Sequence, residues 1–219
     1  MIKLYGMKLS QPVNRVRYAL NYIQEEYEFI ELNMMQGEHQ QEAYRKINPF
    51  GKVPAIEDGD VKLFESNAIL RYIADKNNKT DLYPKELKAR ANVDQWLDFA
   101  TAQVQPAMVR ITFNTLFADM VPGMQRDDES IKAGRGFMAN YLPVIDRQLQ
   151  ENKYLTGDKM TIADFSLLAS LDPAESVQLN LEEFENITRW RNESMSQDWY
   201  TKCHKSYQEE VNNLMAAMA

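Results

Sequence analysis

The hydrophobic period of the chain changes twice within its first 32 residues. Residues 2–5 alternate apolar and polar side chains, which predicts a short strand. Val13, Val16, Leu20 and Ile23 then recur at helical spacing, and residues 27–32 return to alternation. A strand, a helix and a strand in this order predict a parallel pair joined by a crossover helix.

The next segment predicts an antiparallel hairpin followed by a helix. Residues 40–46 suit one or two helical turns, and strong chain breakers follow at residues 48–51. Two apolar runs, 53–56 and 61–64, flank an Asp-Gly pair, which is a hairpin signal. The apolar spacing after Ser66 predicts a helix with this serine as its N-cap.

A polar stretch that ends in proline, residues 77–84, predicts a boundary between two domains, 1–77 and 84–219. Beyond it the apolar positions follow a helical period, so the second domain is expected to be a helical bundle. Thr161 and Asp164 have the spacing of a capping box, and the helix that follows is apolar nearly all round, which predicts a central position. Two longer helices are traced by Leu87, Ala91, Trp96, Leu97, Ala100 and Val104, and by Phe137, Tyr141, Val144 and Leu149.

Composition and charge narrow the class of protein. With 44% hydrophobic and 26% charged residues the chain is an ordinary globular protein, and no apolar run has the length of a membrane helix. The net charge of -7 argues against nucleic acid as a partner, because counterion release needs clustered Lys and Arg. A single cysteine, Cys203, excludes an internal disulfide or a Cys-x-x-Cys metal pair. These features, with an N-terminus that has no export signal, predict a cytoplasmic protein.

Four short segments occur in a suggestive order: Leu9-Ser10-Gln11-Pro12, Asn48 to Ile56, Phe64 to Ile69, and Thr161 to Asp164. Together they resemble the glutathione S-transferase family, in its serine-using, theta-like form. The resemblance implies an α+β, thioredoxin-like first domain (βαβ then ββα) and an all-α second domain that carries the electrophile pocket. It implies glutathione as co-substrate, no metal, conjugation of small electrophiles, and a homodimer. Peroxide reduction, isomerisation, dehalogenation and non-catalytic binding remain the alternatives.

The same resemblance assigns roles to six residues around the peptide. Val53 is expected to pair its backbone with the cysteinyl part of glutathione, next to a cis Pro54. Glu65 is expected to hold the α-ammonium, and Ser66 the γ-glutamyl carboxylate at a helix N-terminus, which is a favourable place for an anion. The remaining two side chains, His39 and Lys52, are expected to face the glycine carboxylate.

The residue that meets the sulfur has two candidates. Ser10 would donate a hydroxyl hydrogen bond to the thiolate at the start of the first helix, where exposed N–H groups add positive potential. Tyr5 is the alternative, because tyrosine-using classes place their donor at the end of the first strand. The Leu-Ser-Gln-Pro context favours Ser10.

The electrophile pocket is harder to place from sequence. Met108, Phe113, Phe117 and Met120 are compatible with lining it, since methionine adapts to varied apolar shapes, and equally compatible with core packing. Arg110 lies among them as a candidate for contact with an anionic group.

Overall fold

The first part of the chain folds as a mixed four-stranded sheet. A computed structural model describes residues 1–121 and 123–218, with side chains in the last helix followed to residue 216. The sheet order is β2-β1-β3-β4; β1 pairs parallel with β2 and antiparallel with β3, and β3 and β4 form the expected hairpin. The strand bounds are Ile2–Gly6 (β1), Tyr27–Glu31 (β2), Ala55–Asp58 (β3) and Val61–Phe64 (β4).

Within the described residues, three α-helices accompany the sheet and seven form the second part of the chain. The first three are α1 (Gln11–Ile23), α2 (Glu42–Arg45) and α3 (Ser66–Lys76). The others are α4 (Leu87–Phe99), α5 (Gln105–Thr112), α6 (Asp128–Glu151), α7 (Ile162–Leu171), α8 (Glu185–Met195), α9 (Asp198–Thr201) and α10 (Tyr207–Met218). This order confirms the predicted thioredoxin-like domain followed by an all-α domain.

A single helical rod runs from α4 through α5. Two π-helical segments, Ala100–Val104 and Phe113–Phe117, follow α4 and α5 without a break in the rod. The predicted helix from Leu87 to Val104 is therefore confirmed, and it continues further than its apolar pattern indicated. Leu87 is not one of its core residues, because its side chain is 81% exposed.

Helix α1 packs against one face of the sheet. Val16 and Leu20 meet Ile2 and Leu4 of β1 in the core of the first domain. The approach is close at Gly6, where an added Cβ would stand 2.5 Å from a methyl group of Val13. A residue without a side chain therefore lets the end of β1 and the start of α1 lie side by side.

Helix α7 is the centre of the second domain, as its all-round apolar pattern predicted. All ten of its residues are buried. The capping box is present: the Thr161 N–H donates to Asp164 Oδ2 at 2.8 Å, and the Leu155 N–H donates to Asp164 Oδ1 at 3.0 Å. Burial raises the pKa of the Asp164 carboxyl to about 6.

Two sequence expectations were wrong in detail. Ser66 is not the N-cap of α3 but its first residue; Glu65 is the cap, because its φ of 68° lies outside the helical region. In α6, two of the residues that traced the helix in the sequence are exposed. Phe137 and Val144 are 44% and 56% exposed, whereas the neighbouring Met138 and Ile145 are buried. Apolar residues occupy both faces of α6, so the period gave the helix without selecting its buried side.

Replacing Asp164 with alanine should destabilise the second domain. The change removes the carboxylate that accepts the Leu155 and Thr161 N–H groups in a buried position, and we expect a loss of about 3 kcal/mol in the free energy of unfolding. Urea unfolding measures it. Asp158→Ala, in the loop that precedes α7, is the control, since Asp158 is exposed; equal midpoints for the two variants would contradict the prediction.

Candidate functional site

Three segments of the first domain meet at one edge of the sheet. Tyr5 at the end of β1 pairs with Ala55 at the start of β3, and Ala55 pairs with Phe64 at the end of β4. The chain that leaves β1, the chain that enters β3 and the chain that leaves β4 are therefore neighbours. The starts of α1 and α3 follow two of these strand ends, so two helix N-termini lie at this edge.

Ser10 lies between β1 and α1 as the N-cap of the helix. Its backbone is extended (φ -83°, ψ 111°), and its N–H donates to the Met7 carbonyl at 3.0 Å. Among the described residues its half-buried hydroxyl makes no cap bond and has no other hydrogen-bond partner. A serine hydroxyl at a helix N-terminus is thus available to a ligand, in a place where the helix dipole favours negative charge.

Tyr5 lies on the other side of the sheet. Leu4 faces α1, so its neighbour in the strand faces away, and the Tyr5 ring contacts Tyr44 of α2 at 5.8 Å between centroids. The Tyr5 hydroxyl donates to Glu57 Oε2 at 2.5 Å. Burial, reinforced by the Glu57 carboxylate, raises the pKa of this phenol well above its usual range. The Tyr5 hydroxyl is therefore already hydrogen-bonded to Glu57 of β3 and keeps its proton.

The segment before β3 contains the expected cis bond, between Val53 and Pro54. The backbone hydrogen bonds described for residues 1–121 and 123–218 include none to the N–H or carbonyl of Val53. The hairpin ladder starts only at Ala55. Val53 therefore lies outside the strand, and both of its backbone groups are available to a ligand.

Glu65 and Ser66 form the junction between β4 and α3. Glu65 has a φ of 68°, a conformation that residues other than glycine rarely adopt and that often marks a functional position. Its side chain is exposed, and Ser66 is 8% exposed at the first turn of α3. A carboxylate is thus presented to solvent beside a helix N-terminus.

Arg15 is a residue that the sequence pattern did not single out. It is fully buried in α1, and its guanidinium lies 3.4 Å from Ser66 Oγ and 3.5 Å from Asn67 Oδ1. Its other contacts are the side-chain oxygens of Gln105 and Ser170. No carboxylate within the described chain forms an ion pair with it; burial lowers its pKa to about 9, so it remains charged at neutral pH.

The loop around α2 brings His39 and Lys52 near each other. Gly51 precedes Lys52 with a φ of 59°, and an added Cβ there would stand 2.8 Å from the His39 carbonyl. The Lys52 carbonyl accepts hydrogen bonds from the Tyr44 hydroxyl and the Asn48 amide, both at 2.6 Å. The Lys52 side chain extends into solvent. Two basic side chains therefore border the same loop.

An apolar cleft of about 480 Å³ opens beside the loop that leads to Ser10. Met7 of that loop forms one side, residues 31–38 after β2 another, and the end of the α4–α5 rod a third. Its lining is Met7, Glu31, Leu32, Asn33, Met34, Met35, Glu38, Phe113, Phe117, Met120, Val121 and Leu214. The two charged side chains in that lining are carboxylates, and one of them, Glu31, is paired with Lys8 at 3.2 Å.

The candidates for lining this cleft divide clearly. Phe113, Phe117 and Met120 line it, whereas Met108 is fully buried in the core of the second domain. Arg110 is exposed, contacts Ser130 at 3.4 Å and does not border the cleft. Periodicity alone could not separate the positions that face the cleft from those that face the core.

Within residues 1–121 and 123–218, no group of three or more His, Cys, Asp or Glu side chains is arranged to hold a metal ion. Of the helices in that part of the chain, none is long and apolar enough to span a bilayer.

Sequence comparison identifies the family. The model of the glutathione S-transferase N-terminal domain matches residues 1–75, and that of the C-terminal domain matches residues 104–198. Glutathione S-transferase F9 of Arabidopsis thaliana is 36% identical over 174 residues, covering 78% of this chain and 80% of the relative. Probable glutathione S-transferase GSTF2 of Oryza sativa subsp. japonica is 34% identical over 200 residues, covering 89% and 92%.

Solved structures agree with this result. Glutathione transferase F2 of Populus trichocarpa superposes with a TM-score of 0.85 at 32% identity, covering 93% of this chain and 97% of its own. A glutathione S-transferase-I bound with lactoylglutathione gives 0.84 at 30% identity, covering 92% and 97%. The similar plant proteins carry F designations, so the comparisons establish the family and not the theta-like subtype. This chain therefore belongs to the glutathione S-transferase family, whose members use glutathione as co-substrate.

Proposed function

We propose that this glutathione transferase binds glutathione at the sheet edge with its thiol at Ser10, and that the thiolate attacks an electrophile held in the apolar cleft. The observation that carries the choice of Ser10 is the contrast between the two hydroxyl groups. The Ser10 hydroxyl has no partner among the described residues, whereas the Tyr5 hydroxyl is bonded to Glu57 on the opposite side of the sheet.

The peptide would be held through its charged ends and its backbone. The unpaired backbone groups of Val53 accept and donate one strand-like pair of hydrogen bonds, beside the cis Pro54. The exposed Glu65 carboxylate binds the α-ammonium. His39 and Lys52, which border the loop around α2, face the glycine carboxylate.

The γ-glutamyl carboxylate would bind at the N-terminus of α3. Ser66 supplies its hydroxyl and N–H there, and exposed N–H groups of a first helical turn attract anions. Arg15 adds a buried positive charge 3.4 Å behind Ser66 Oγ, with no protein carboxylate described as its partner. Because a buried charge without a counter-ion is costly, an incoming carboxylate at this position is favoured.

The hydroxyl of Ser10 and the dipole of α1 favour the charged form of the sulfur. A thiol with a pKa near 8.5 is about 3% ionised at pH 7, and lowering that pKa to about 6.5 gives about 75% thiolate. Because nucleophilicity falls with basicity, the net gain from ionisation is only about threefold. Most of the rate enhancement must then come from holding the electrophile against the sulfur.

The cleft beside the Ser10 loop is suited to an uncharged apolar electrophile. Its methionines and phenylalanines supply an adaptable apolar surface, and the loop residue Met7 links the cleft directly to the sulfur site. Glu31 is compensated by Lys8, but Glu38 has no ion pair among the described residues. An anionic substrate would meet this carboxylate.

Three further assignments belong to the same proposal. The boundary between the domains lies at residues 77–84, between the two matched family models and after the end of α3. The enzyme works in the cytoplasm, where the thiol of the buried Cys203 stays reduced.

The enzyme is a homodimer. Phe50 is 65% exposed, with its ring against Phe64, and is one apolar group that a second copy would cover.

Ser10→Ala should lower turnover without weakening glutathione binding. The change removes the one donor to the sulfur, so we expect the pKa of the bound thiol to rise towards about 8.5 and kcat at pH 7 to fall by about threefold, while the calorimetric Kd for glutathione changes less than about threefold. Tyr5→Phe is the matched control, since it removes the alternative hydroxyl, and its kcat should stay within about twofold. A larger loss in Tyr5→Phe than in Ser10→Ala would transfer the sulfur role to the tyrosine.

The charge of the cleft predicts discrimination between related substrates. For benzyl isothiocyanate and its 4-carboxy derivative, each corrected for its uncatalysed rate, we expect the neutral compound to have a kcat/KM about tenfold higher. Glu38→Gln should reduce this ratio, because it removes the negative charge from the cleft. The amide oxygen can still accept the hydrogen bond from the Asn33 N–H that Glu38 accepts at 2.7 Å, so the loop should keep its shape. An unchanged ratio in the variant would show that Glu38 does not select the substrate.

The proposed homodimer predicts a sensitivity to Phe50. Phe50→Ser removes an exposed aromatic side chain whose burial by a second copy would contribute about 2 kcal/mol, so the dimer dissociation constant should rise by more than tenfold. Analytical ultracentrifugation over a dilution series measures this constant. A monomeric sedimentation coefficient for the unaltered protein at micromolar concentration would refute the dimer.

A further inference from the structure

In the loop that carries Ser10, three carbonyls accept hydrogen bonds from nearby residues and one accepts from a residue that is distant in sequence. The four carbonyls of the loop, from Met7 to Ser10, are all occupied. The Ser10 N–H binds the Met7 carbonyl at 3.0 Å, the Asn14 amide binds the Lys8 carbonyl at 2.8 Å, and the first turn of α1 binds the Ser10 carbonyl. The donors to these three carbonyls are all local. The fourth carbonyl, that of Leu9, accepts from a residue at the other end of the chain.

That residue is Tyr207, at the start of α10. Its hydroxyl donates to the Leu9 carbonyl at 3.0 Å across 198 positions of sequence, and its side chain is 3% exposed. Burial raises the pKa of this phenol, so its hydroxyl keeps its proton and remains a donor at neutral pH. The Leu9 carbonyl and the Ser10 N–H belong to one planar peptide unit, which is therefore held at both ends.

The orientation of that peptide unit determines the direction of the Ser10 side chain. The unit sets the rotation about the N–Cα bond of Ser10, and so the direction of its Cβ and hydroxyl. Local bonds fix one edge of the plane through the Ser10 N–H, and Tyr207 fixes the opposite edge through the Leu9 oxygen. Without Tyr207 the plane could rotate about the remaining bond.

Helix α10 is itself anchored to α1. The Arg17 guanidinium donates to the Cys203 carbonyl at 2.9 Å, and the Tyr18 hydroxyl lies 3.1 Å from His204 Nε2, just before α10 begins. The donor to the Leu9 carbonyl is thus attached to the same helix that starts at Ser10. Tyr207 is therefore a rigid support rather than a mobile tail residue.

The same face of α10 reaches the electrophile cleft. Val211 packs with Leu9 and Tyr207 in a small apolar cluster, and Leu214, one turn further, lines the cleft. The helix that holds the Ser10 loop from behind therefore also forms part of the cleft wall. A single element connects the position of the hydroxyl with the site of the second substrate.

We propose that Tyr207 is a positioning residue for the reaction: through the Leu9 carbonyl it holds the peptide unit that aims the Ser10 hydroxyl at the glutathione sulfur. This inference rests on the proposed role of Ser10. Tyr207 touches neither substrate, so its effect is on ionisation and turnover. The residues proposed to bind the rest of glutathione lie elsewhere, in the segments around Val53 and Ser66.

The test is Tyr207→Phe, which removes the hydroxyl and keeps the ring. We expect the pKa of the enzyme-bound thiol, titrated by thiolate absorbance at 240 nm, to rise, and the acidic limb of the kcat profile to move to higher pH with it. At neutral pH kcat should fall by about twofold, a part of the roughly threefold gain that ionisation supplies, with the Kd for glutathione within about twofold of the unaltered enzyme. Deuterium exchange at residues 7–10 should become faster.

Tyr83→Phe is the matched control. Tyr83 is 6% exposed, and its hydroxyl contacts the Asp94 carboxylate at 3.2 Å, remote from the Ser10 loop. Its loss should lower the melting temperature comparably and leave the pH profile and the exchange at residues 7–10 unchanged. If both variants give the same pH profile, Tyr207 has only a structural role and the inference is wrong.

Two outcomes separate this inference from the function on which it rests. If the unaltered enzyme ionises glutathione, and Ser10→Ala abolishes that ionisation while Tyr207→Phe leaves it intact, the positioning role alone is refuted. If Ser10→Ala ionises bound glutathione as well as the unaltered enzyme does, the role of Ser10 fails and the inference fails with it. An upward pKa shift confined to Ser10→Ala and Tyr207→Phe supports both.

Discussion

The burial of α1 between the sheet and the second domain is the constraint on which the rest of this structure depends. One side of the helix, with Val16 and Leu20, packs on β1, while Tyr18 and Ala19 belong to the large core that α7 organises. Interiors are close-packed, so neither domain can move relative to α1 without opening a void. The N-terminus of this helix is therefore fixed relative to both proposed substrate sites, and Ser10 is where that fixed end meets solvent.

Local physical chemistry explains why much of the fold could be predicted from sequence. Alternation of side chains in the first 32 residues, the Asp-Gly pair of the hairpin and the capping box at Thr161 each depend on neighbours a few residues apart. The cis Pro54 was of another kind, because no local rule selects the cis isomer. It was predicted only through the resemblance of its segment to a known family.

The remaining features depend on contacts that sequence spacing does not encode. Arg15 is one of two arginines in α1, and its position beside Ser66 appears only when α3 brings the serine hydroxyl within 3.4 Å of the guanidinium. Tyr207 lies 198 positions from Leu9, and nothing in the C-terminal sequence indicates that its hydroxyl supports the Ser10 loop. The shift of the α3 cap to Glu65 follows from one positive φ, which a carboxylate side chain does not signal.

The division of the cleft from the peptide site has a consequence for how such an enzyme can diversify. The groups proposed to hold glutathione come from residues 10–66, whereas five of the twelve residues that line the cleft come from the second domain: Phe113, Phe117, Met120, Val121 and Leu214. Changes accumulated in those later segments can remodel the chemical repertoire while the sulfur machinery stays intact. Substitutions in these segments can thus change which second substrate is accepted, while the residues that ionise the thiol are retained.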